Sequence, residues 1–415
     1  MKNGTDLPHI AIVGGGAAGF FAAIEAKRRQ PQAEVCIFEK GSKVLAKVEI
    51  TGGGRCNLTN SFEGVSDLKQ VYPRGHKLMK RLFNVFDHND TMEWFEGCGV
   101  RLVTQADCCV FPQSQDSHSI TGCLLAKARA LGVLIRTGQR LTSIERMGDG
   151  RLMLGFDVPG GSHRMLFDRV AITTGGHPRA ESFGMFADLG HGVEQPVPSL
   201  FTLNVADKAF RGLMGTVVEQ AIVSVPATRF KAEGPLLVTH WGMSGPAVLK
   251  LSSHAARHMH EKGYALQVAV NWAGETDRGV VEERVRGMAA ANPQKLLSSL
   301  NPCGVPSRLW QYLLGKMRLA PEKKWAELGK KGCNVMVETL TNDVYDVCGK
   351  GSFKDEFVTC GGIALGSLNL NTLESKVCPN LFFAGEVADV DAVTGGFNLQ
   401  AAWTMGYVVG RSIVE

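Results

Sequence analysis

Three short apolar runs, each ending in glycine, punctuate this chain. Ile10-Ala11-Ile12-Val13 stops at Gly14-Gly15-Gly16, Val170-Ala171-Ile172 leads through Thr173-Thr174 to Gly175-Gly176, and Leu381-Phe382-Phe383-Ala384 stops at Gly385-Glu386. Runs this brief, bounded by turn residues, predict strands. Behind the first, the Ala-rich stretch after the glycines predicts a helix, and Glu34-Val35-Cys36-Ile37-Phe38 predicts a second strand closed by Glu39. Near the other end, an apolar helix from about Leu399 to Ile413 follows Gly395-Gly396. The middle has two textures: short alternating segments such as Ala265-Leu266-Gln267-Val268-Ala269-Val270, then helical stretches rich in Arg, Lys and Leu. The pattern predicts one α/β domain assembled from residues 1–194 and 345–415, interrupted by a β-rich segment, 195–275, and a helical segment, 276–344.

The opening unit carries specific chemistry. In Gly14-Gly15-Gly16-Ala17-Ala18-Gly19, Gly14 permits the tight turn off the strand, Gly16 admits a pyrophosphate against the backbone, and Gly19 lets helix and strand approach closely. The free N–H groups at the helix start, with Ala17 and Ala18 in its first turn, favour negative charge. Glu39 ends the second strand, where a carboxylate accepts hydrogen bonds from both hydroxyls of a ribose and repels a 2′-phosphate. The unit predicts a dinucleotide site.

Composition narrows the class. The chain has 415 residues, 44% of them hydrophobic, which suits an ordinary globular protein with a large core. No apolar run reaches the roughly 20 residues of a membrane span, and Met1–Asp6 lacks the apolar core of a signal peptide, so a cytoplasmic protein without a membrane partner is expected. The 11 cysteines are scattered without zinc or iron–sulfur spacing, so no metal is expected. A net charge of +5 neither requires nor excludes an anionic partner, and nothing in the composition sets an oligomeric state.

Between the two common dinucleotides, the far C-terminal strand and its second glycine-rich helix start favour FAD, which is long enough to need both ends of such a domain. Glu386 suits the ribityl chain, and the N–H groups near Gly396, Phe397, Asn398 and Leu399 suit the flavin edge that gains charge on reduction. With no second Gly-x-Gly-x-x-Gly in the chain, NAD(P)H is expected only as a transient reductant.

The blocks Lys47 with Thr51-Gly52-Gly53-Gly54-Arg55-Cys56-Asn57, Thr239-His240-Trp241-Gly242-Met243-Ser244-Gly245-Pro246, Gly361-Gly362, and Gly385-Glu386 with Gly395-Gly396-Phe397-Asn398-Leu399-Gln400 resemble the BaiN/RdsA family of FAD-dependent oxidoreductases along nearly the whole chain. The resemblance implies an FAD domain of the glutathione-reductase superfamily, interrupted by a β-barrel-like and a small helical domain. It also implies flavin redox chemistry, described for members as reduction of unsaturated or keto substrates, dihydrouridine synthesis in ribosomal RNA, or aminoacetone-type oxidation. The lead Lys43–Ile50 is longer than the family pattern implies and leaves both Lys43 and Lys47 open as the lysine that approaches the cofactor.

Arg55 is expected to hold an anionic part of the cofactor, with Gly54, Cys56 and Asn57 beside it. Lys40, Leu141, Thr174 and Gly175 complete the expected cofactor set. His240 is the first choice for a general acid, against a turn-orienting role; Cys56 and Cys360 follow, each equally explained as a small buried residue. Two basic stretches, Lys69, Arg74, Lys77, Lys80 and Arg81, and Arg308 to Lys331 with Trp310, Tyr312 and Trp325 interleaved, offer an RNA backbone a surface and its bases aromatic faces; solvated helices over a buried aromatic core are the competing reading. The expected function is NAD(P)H-linked reduction of an electron-poor C=C or C=O bond, with uracil in RNA as the leading specific substrate. The alternatives are a small-amine oxidase and a non-catalytic flavin binder.

Overall fold

A computed structural model describes residues 7–351 and 358–415. The chain forms two compact units, one from Met1–Val197 with Val358–Glu415 and one from Pro198–Phe357.

The first unit is built on a five-stranded parallel sheet. β1 (His9–Val13) lies at its centre, followed by α1 (Ala17–Arg29) and β2 (Glu34–Phe38). The sheet order is Leu381–Phe383, Arg169–Ile172, β1, β2, Leu134–Arg136, with Ile10 opposite Arg169, His9 opposite Glu34, and Val170 opposite Leu381. Strands buried on both faces read as continuous apolar runs, which is why β1, β2 and the two late strands stood out in the sequence. From β1 the chain moves to β2 on one side and only much later adds Arg169–Ile172 on the other, so the carboxyl ends of β1 and Arg169–Ile172 flank a crevice of the kind in which open α/β sheets bind ligands.

The C-terminal helix, Phe397–Ser412, lies along α1. A Cβ on Gly406 would sit 2.4 Å from the Ala18 carbonyl, and one on Gly410 would sit 2.6 Å from that of Ala22, so both glycines permit close helix contact. Phe21 and Trp403, 4.8 Å apart, fill the core beside them. Two three-stranded antiparallel sheets also belong to the unit: α2 (Ala46–Gly54) leads to β3 (Thr59–Asn60), which pairs with Cys109–Pro112 and through it with Leu102–Thr104, and Leu152–Val158 lies between Arg140–Arg146 and Gly161–Phe167; Val193–Ser199 pairs with Val358–Ile363. Phe156 of the latter stacks on Phe38 at 4.6 Å.

The second unit is a closed six-stranded barrel, in the order Leu203–Val205, Gly242–Ser244, Lys231–Val238, Val217–Ser224, Ala265–Asn271, Asp343–Lys350. The helices Arg278–Ala291, Ser307–Lys316 and Gly329–Thr341 share one apolar core with it, including Trp272, Trp310, Trp325 and Val347. The segment read as a separate helical lobe, 276–344, thus packs as part of the barrel unit. The strand Asp343–Lys350, which alternates buried Tyr345 and Val347 with exposed Val344 and Asp346, lies in the barrel beyond the expected boundary at 345. Its Asp343 carboxylate, 3% exposed, accepts hydrogen bonds from the Trp272 indole at 2.9 Å and the Tyr345 hydroxyl at 2.5 Å, with the Lys316 ammonium at 2.5 Å. That arrangement satisfies a buried charge and ties helix Ser307–Lys316 to the barrel.

Among the described residues, no helix is long and apolar enough to cross a membrane.

Candidate functional site

The turn after β1 is as tight as the glycine pattern requires. Gly14 has φ +118°, donates to the Phe38 carbonyl at 2.8 Å, and leaves only 2.3 Å between a would-be Cβ and the Thr173 carbonyl oxygen. A Cβ on Gly19 would lie 2.0 Å from the Gly14 carbonyl oxygen and 2.7 Å from the Thr173 hydroxyl oxygen. That hydroxyl donates to the Gly14 carbonyl at 2.9 Å, a tie missed in the sequence, where attention fell on Thr174. At Gly16, by contrast, a Cβ would meet nothing within 4 Å. The start of α1 is therefore packed on its strand side and open at Gly16, and its first turn carries no acidic residue. Helix-start N–H groups with no acidic residue in their own turn favour an anion.

Glu39 sits half-buried at the end of β2 and is held by backbone: Oε2 accepts from Gly15 N–H at 2.9 Å and Oε1 from Gly41 N–H at 2.8 Å. Each oxygen keeps a lone pair for a further donor. The Glu39 carbonyl accepts from Gln139 N–H at 2.8 Å, so the chain entering Arg140–Arg146, with Leu141, runs past this acid. Lys40 follows, exposed.

In α2, the helix gives way at its end to left-handed Gly52 and Gly53. Arg55 clamps this turn: its guanidinium lies over the Phe111 ring at 4.4 Å, Nε donates to the Gly52 carbonyl at 3.1 Å, and Nη1 to Gln115 at 3.3 Å. Gly54 is exposed beside it. Of the two lysines left open, Lys43 pairs with Glu49 at 2.5 Å, whereas Lys47 lies 3.5 Å from Glu386. Cys56 is fully buried, and burial pushes its thiol up to about 12, a poor reactive thiol at neutral pH. Cys360 is likewise fully buried, in the strand Val358–Ile363.

After the late strand, Glu386 accepts from Thr359 N–H at 2.7 Å, and a Cβ on Gly385 would lie 3.2 Å from that of Ala18. The loop to the C-terminal helix is held at several points. Asn398 Oδ1 accepts from Ala392 N–H at 2.9 Å and its Nδ2 donates back to the Ala392 carbonyl at 3.0 Å; Tyr72 donates to the Phe397 carbonyl at 2.9 Å. Asp391 is buried and bonded by the Arg74 guanidinium through two nitrogens. The helix starts at Gly396, φ +88°, where a Cβ would be 2.3 Å from the Thr59 carbonyl oxygen. With its amide oriented to suit both neighbours, Asn57 accepts from Gly396 N–H at 3.2 Å and donates to the Thr59 carbonyl at 3.0 Å. Leu399 is half-buried, in the first turn of the helix.

The fold thus brings Gly14, Gly16, Ala17, Ala18, Gly19, Glu39, Lys40, Lys47, Thr174, Gly175, Gly385 and Glu386 to the carboxyl ends of the sheet and the segments that follow them. Asn57, Gly396, Phe397, Asn398 and Leu399 gather at the start of the C-terminal helix. His240 belongs to the barrel unit, exposed in the turn after Lys231–Val238, with its ring edge-on to Trp241 at 4.3 Å.

One residue at the strand ends was missed. His177 follows Thr174-Gly175-Gly176; its Nε2 is 3.1 Å from the Thr174 hydroxyl oxygen, and its ring is edge-on to Phe183 at 5.5 Å. Burial, with Lys40 and Lys47 acting in the same direction and Glu386 opposing them, lowers its pKa to about 4. Sequence reasoning stopped at the glycine turn; the available signal was a histidine directly behind it.

One expectation about the basic stretches is corrected: Arg74 is occupied by Asp391 inside the domain, and so is not a surface cation. Of the two readings of the aromatics, the buried core holds for Trp310 and Trp325, 2% and 1% exposed in the barrel unit, while half-buried Tyr312 donates its hydroxyl to Asp207 at 2.7 Å. Apolar burial outweighs exposure for side chains this large.

The family described as HI0933-like protein Rossmann domain matches residues 8–412. The chain is 26% identical to a 3-dehydro-bile acid delta(4,6)-reductase of Clostridium scindens, over 99% of this chain and 100% of that one. It is also 26% identical to a ribosomal RNA dihydrouridine synthase of Escherichia coli, over 97% of each. Among solved structures, the fold is similar to a 3-ketosteroid-delta4-(5alpha)-dehydrogenase of Rhodococcus jostii RHA1, with TM-score 0.53, 15% identity, and coverage of 100% of this chain and 98% of that one. It is also similar to a 3-ketosteroid delta1-dehydrogenase of Sterolibacterium denitrificans, with TM-score 0.51, 12% identity, and coverage of 99% and 100%. The chain belongs to the HI0933-like family.

Proposed function

We propose that this member of the HI0933-like family is an FAD-dependent oxidoreductase that reduces a C=C bond conjugated to a carbonyl, with NAD(P)H as transient reductant. The observation that carries the reading is the pairing of two prepared helix starts in one domain: the open turn at Gly16, beside Glu39, and the locked turn at Gly396, reached through Gly385-Glu386. A dinucleotide with a flavin at its far end needs both. The residues fit the group: a Cβ at Gly16 would meet nothing, Glu39 keeps lone pairs for ribose hydroxyls, and Lys47 and Glu386 face the stretch between.

When bound and reduced by NAD(P)H, FAD supplies a hydride to the electron-poor carbon of the substrate, and a proton at the neighbouring carbon completes the reduction. The chain does the rest. The N–H groups of α1 hold the diphosphate, Glu39 orients the adenosine ribose, and the N–H groups of Gly396 to Leu399 favour negative charge at the ring edge. Arg55 holds the glycine turn through Gly52 and Phe111. Of the candidate acids, Cys56 and Cys360 are fully buried, whereas His240 is exposed in the barrel unit. The names of the two relatives support the reaction class: a delta(4,6)-reductase of a 3-dehydro steroid and a dihydrouridine synthase both saturate a C=C bond conjugated to a carbonyl.

The specific version with uracil in RNA draws on Lys69, Lys77, Lys80 and Arg81, all exposed in and beside helix His76–Leu82. The test is anaerobic: the NAD(P)H-reduced protein is mixed with a panel of neutral enones or with ribosomal RNA fragments, and flavin reoxidation is followed. Reoxidation by an enone, insensitive to salt, establishes a small-molecule reductase. Reoxidation by RNA with dihydrouridine in the digest, weakening steeply with salt, establishes the uracil version. Failure of both classes of acceptor defeats the proposal, and flavin reduction by a small amine replaces it with an oxidase.

A further inference from the structure

The segment leaving strand Arg169–Ile172 turns through Thr174-Gly175-Gly176 and places His177 where three elements meet. From the end of β2 comes Lys40, beside Glu39; from α2, Lys47; from the late strand, Glu386; and from its own loop, the Thr174 hydroxyl at 3.1 Å. Glu39 is engaged by two backbone amides, and Glu386 by Thr359 N–H and by Lys47 at 3.5 Å. A Cβ on Gly176 would come within 2.4 Å of Glu386 Oε1, so the loop is pressed against that acid. The ring is flanked on its other side by Phe183. The cluster therefore holds two lysines and a histidine around one carboxylate that is already paired.

Resting on the FAD reading above, we infer that Lys40, Lys47 and His177 form a cationic cradle for the diphosphate of the cofactor, and that His177 takes up a proton as the diphosphate docks. In the free protein, burial and the two lysines keep the imidazole neutral, with a pKa of about 4. A diphosphate carries two negative charges into the same space. It offsets both ammonium groups, supplies an acceptor for an imidazolium N–H, and turns the local balance toward the charged ring. Charging His177 before the ligand arrives would place a half-buried cation near two lysines of the same sign. Docking and protonation are thus one event, and the residue acts on cofactor affinity rather than on the reaction.

The sign follows from linkage. The pKa is low in the free protein and raised in the complex, so binding takes up a proton between the two values. Affinity is greatest at low pH, falls as pH climbs through that window, and is flat above the bound-state pKa. If binding restores the imidazole to its ordinary value of about 6.5, FAD binds about tenfold tighter at pH 5.5 than at pH 7.5.

The experiment is calorimetric titration of FAD into the full-length apoprotein at pH 5.5 and 7.5, each in two buffers of different ionisation enthalpy, so that protons taken up are counted directly. The inference expects close to one proton per FAD at pH 5.5, almost none at pH 7.5, and about a tenfold difference in Kd. His177→Asn is expected to take up no proton at either pH and to bind with a Kd that varies less than about twofold between them. Tight, pH-independent FAD binding by the wild-type protein with no proton uptake overturns the inference and leaves the FAD reading standing. No FAD binding at either pH removes that reading and the inference with it. The wild-type proton count decides the matter even if a variant fails to fold.

Discussion

Gly19→Ala is expected to yield a protein that unfolds readily and retains no cofactor. The added methyl would lie 2.0 Å from the Gly14 carbonyl oxygen and 2.7 Å from the Thr173 hydroxyl oxygen, and the first of these is backbone that cannot swing aside. Relief requires α1 to move away from the turn, which breaks the Thr173 hydroxyl bond to Gly14 and loosens the contacts of α1 with the C-terminal helix at Gly406 and Gly410. Overpacking of this kind costs about 1–3 kcal/mol in cores that can relax, and here the upper end or more is expected because the clash is backbone on backbone. Denaturant unfolding checks the stability, and visible absorbance after gel filtration checks the cofactor. Gly16→Ala is the control: its methyl would meet no protein atom within 4 Å, so stability should hold while cofactor affinity falls.

Asp391→Ala should be the second severe change. Asp391 is 1% exposed and bonded by two nitrogens of Arg74, which is itself largely buried. Removing the carboxylate takes from the buried guanidinium both of its Asp391 bonds, a change that typically costs about 3–5 kcal/mol. The consequence is local as well as global, because Asp391 neighbours Ala392, which Asn398 grips from the first turn of the C-terminal helix. The loop leading to Gly396 should loosen, and the variant should lose flavin faster than wild type in addition to unfolding at lower denaturant. Replacing the pair together, Arg74→Met with Asp391→Leu, should recover much of the stability, since a buried ion pair often does little better than apolar residues of similar size. Equal unfolding midpoints for wild type and Asp391→Ala would contradict this account of the loop.

What could be read in the sequence, and what could not, divides along the distance between partners. The roles of Gly14, Gly16 and Gly19 are local: the turn and the first turn of α1 lie within a few residues, and the strand they leave is an unbroken apolar run. The same holds for the late strand before Gly385 and for the helix at Gly396. The ties that finish the site are long-range. Arg74 and Asp391 are 317 positions apart, and in the sequence Arg74 is one more cation in a basic stretch. Thr59 and Gln400, which share a 2.5 Å hydrogen bond beneath the Gly396 turn, are 341 apart. Arg55 reads as an anion ligand because guanidinium groups in glycine loops so often are; that Phe111 would lie under it depends on a hairpin formed some fifty residues later. In the barrel unit, Trp310 and Trp325 stand among lysines in the sequence, and only their burial separates a core from a stacking surface. Strand Asp343–Lys350 was passed over because its alternation, buried Tyr345 and Val347 against exposed Val344 and Asp346, follows directly on a helix and no glycine or proline marks the junction.

The central claim, that the strand ends around Gly16 and Gly396 hold FAD, is tested most directly by expressing the full chain, purifying it without added cofactor, and identifying whatever chromophore denaturation releases. The account predicts a yellow protein that releases one equivalent of FAD, and a Gly16→Val variant that is folded but colourless. A folded wild-type protein that is colourless and stays so when FAD is added would contradict it.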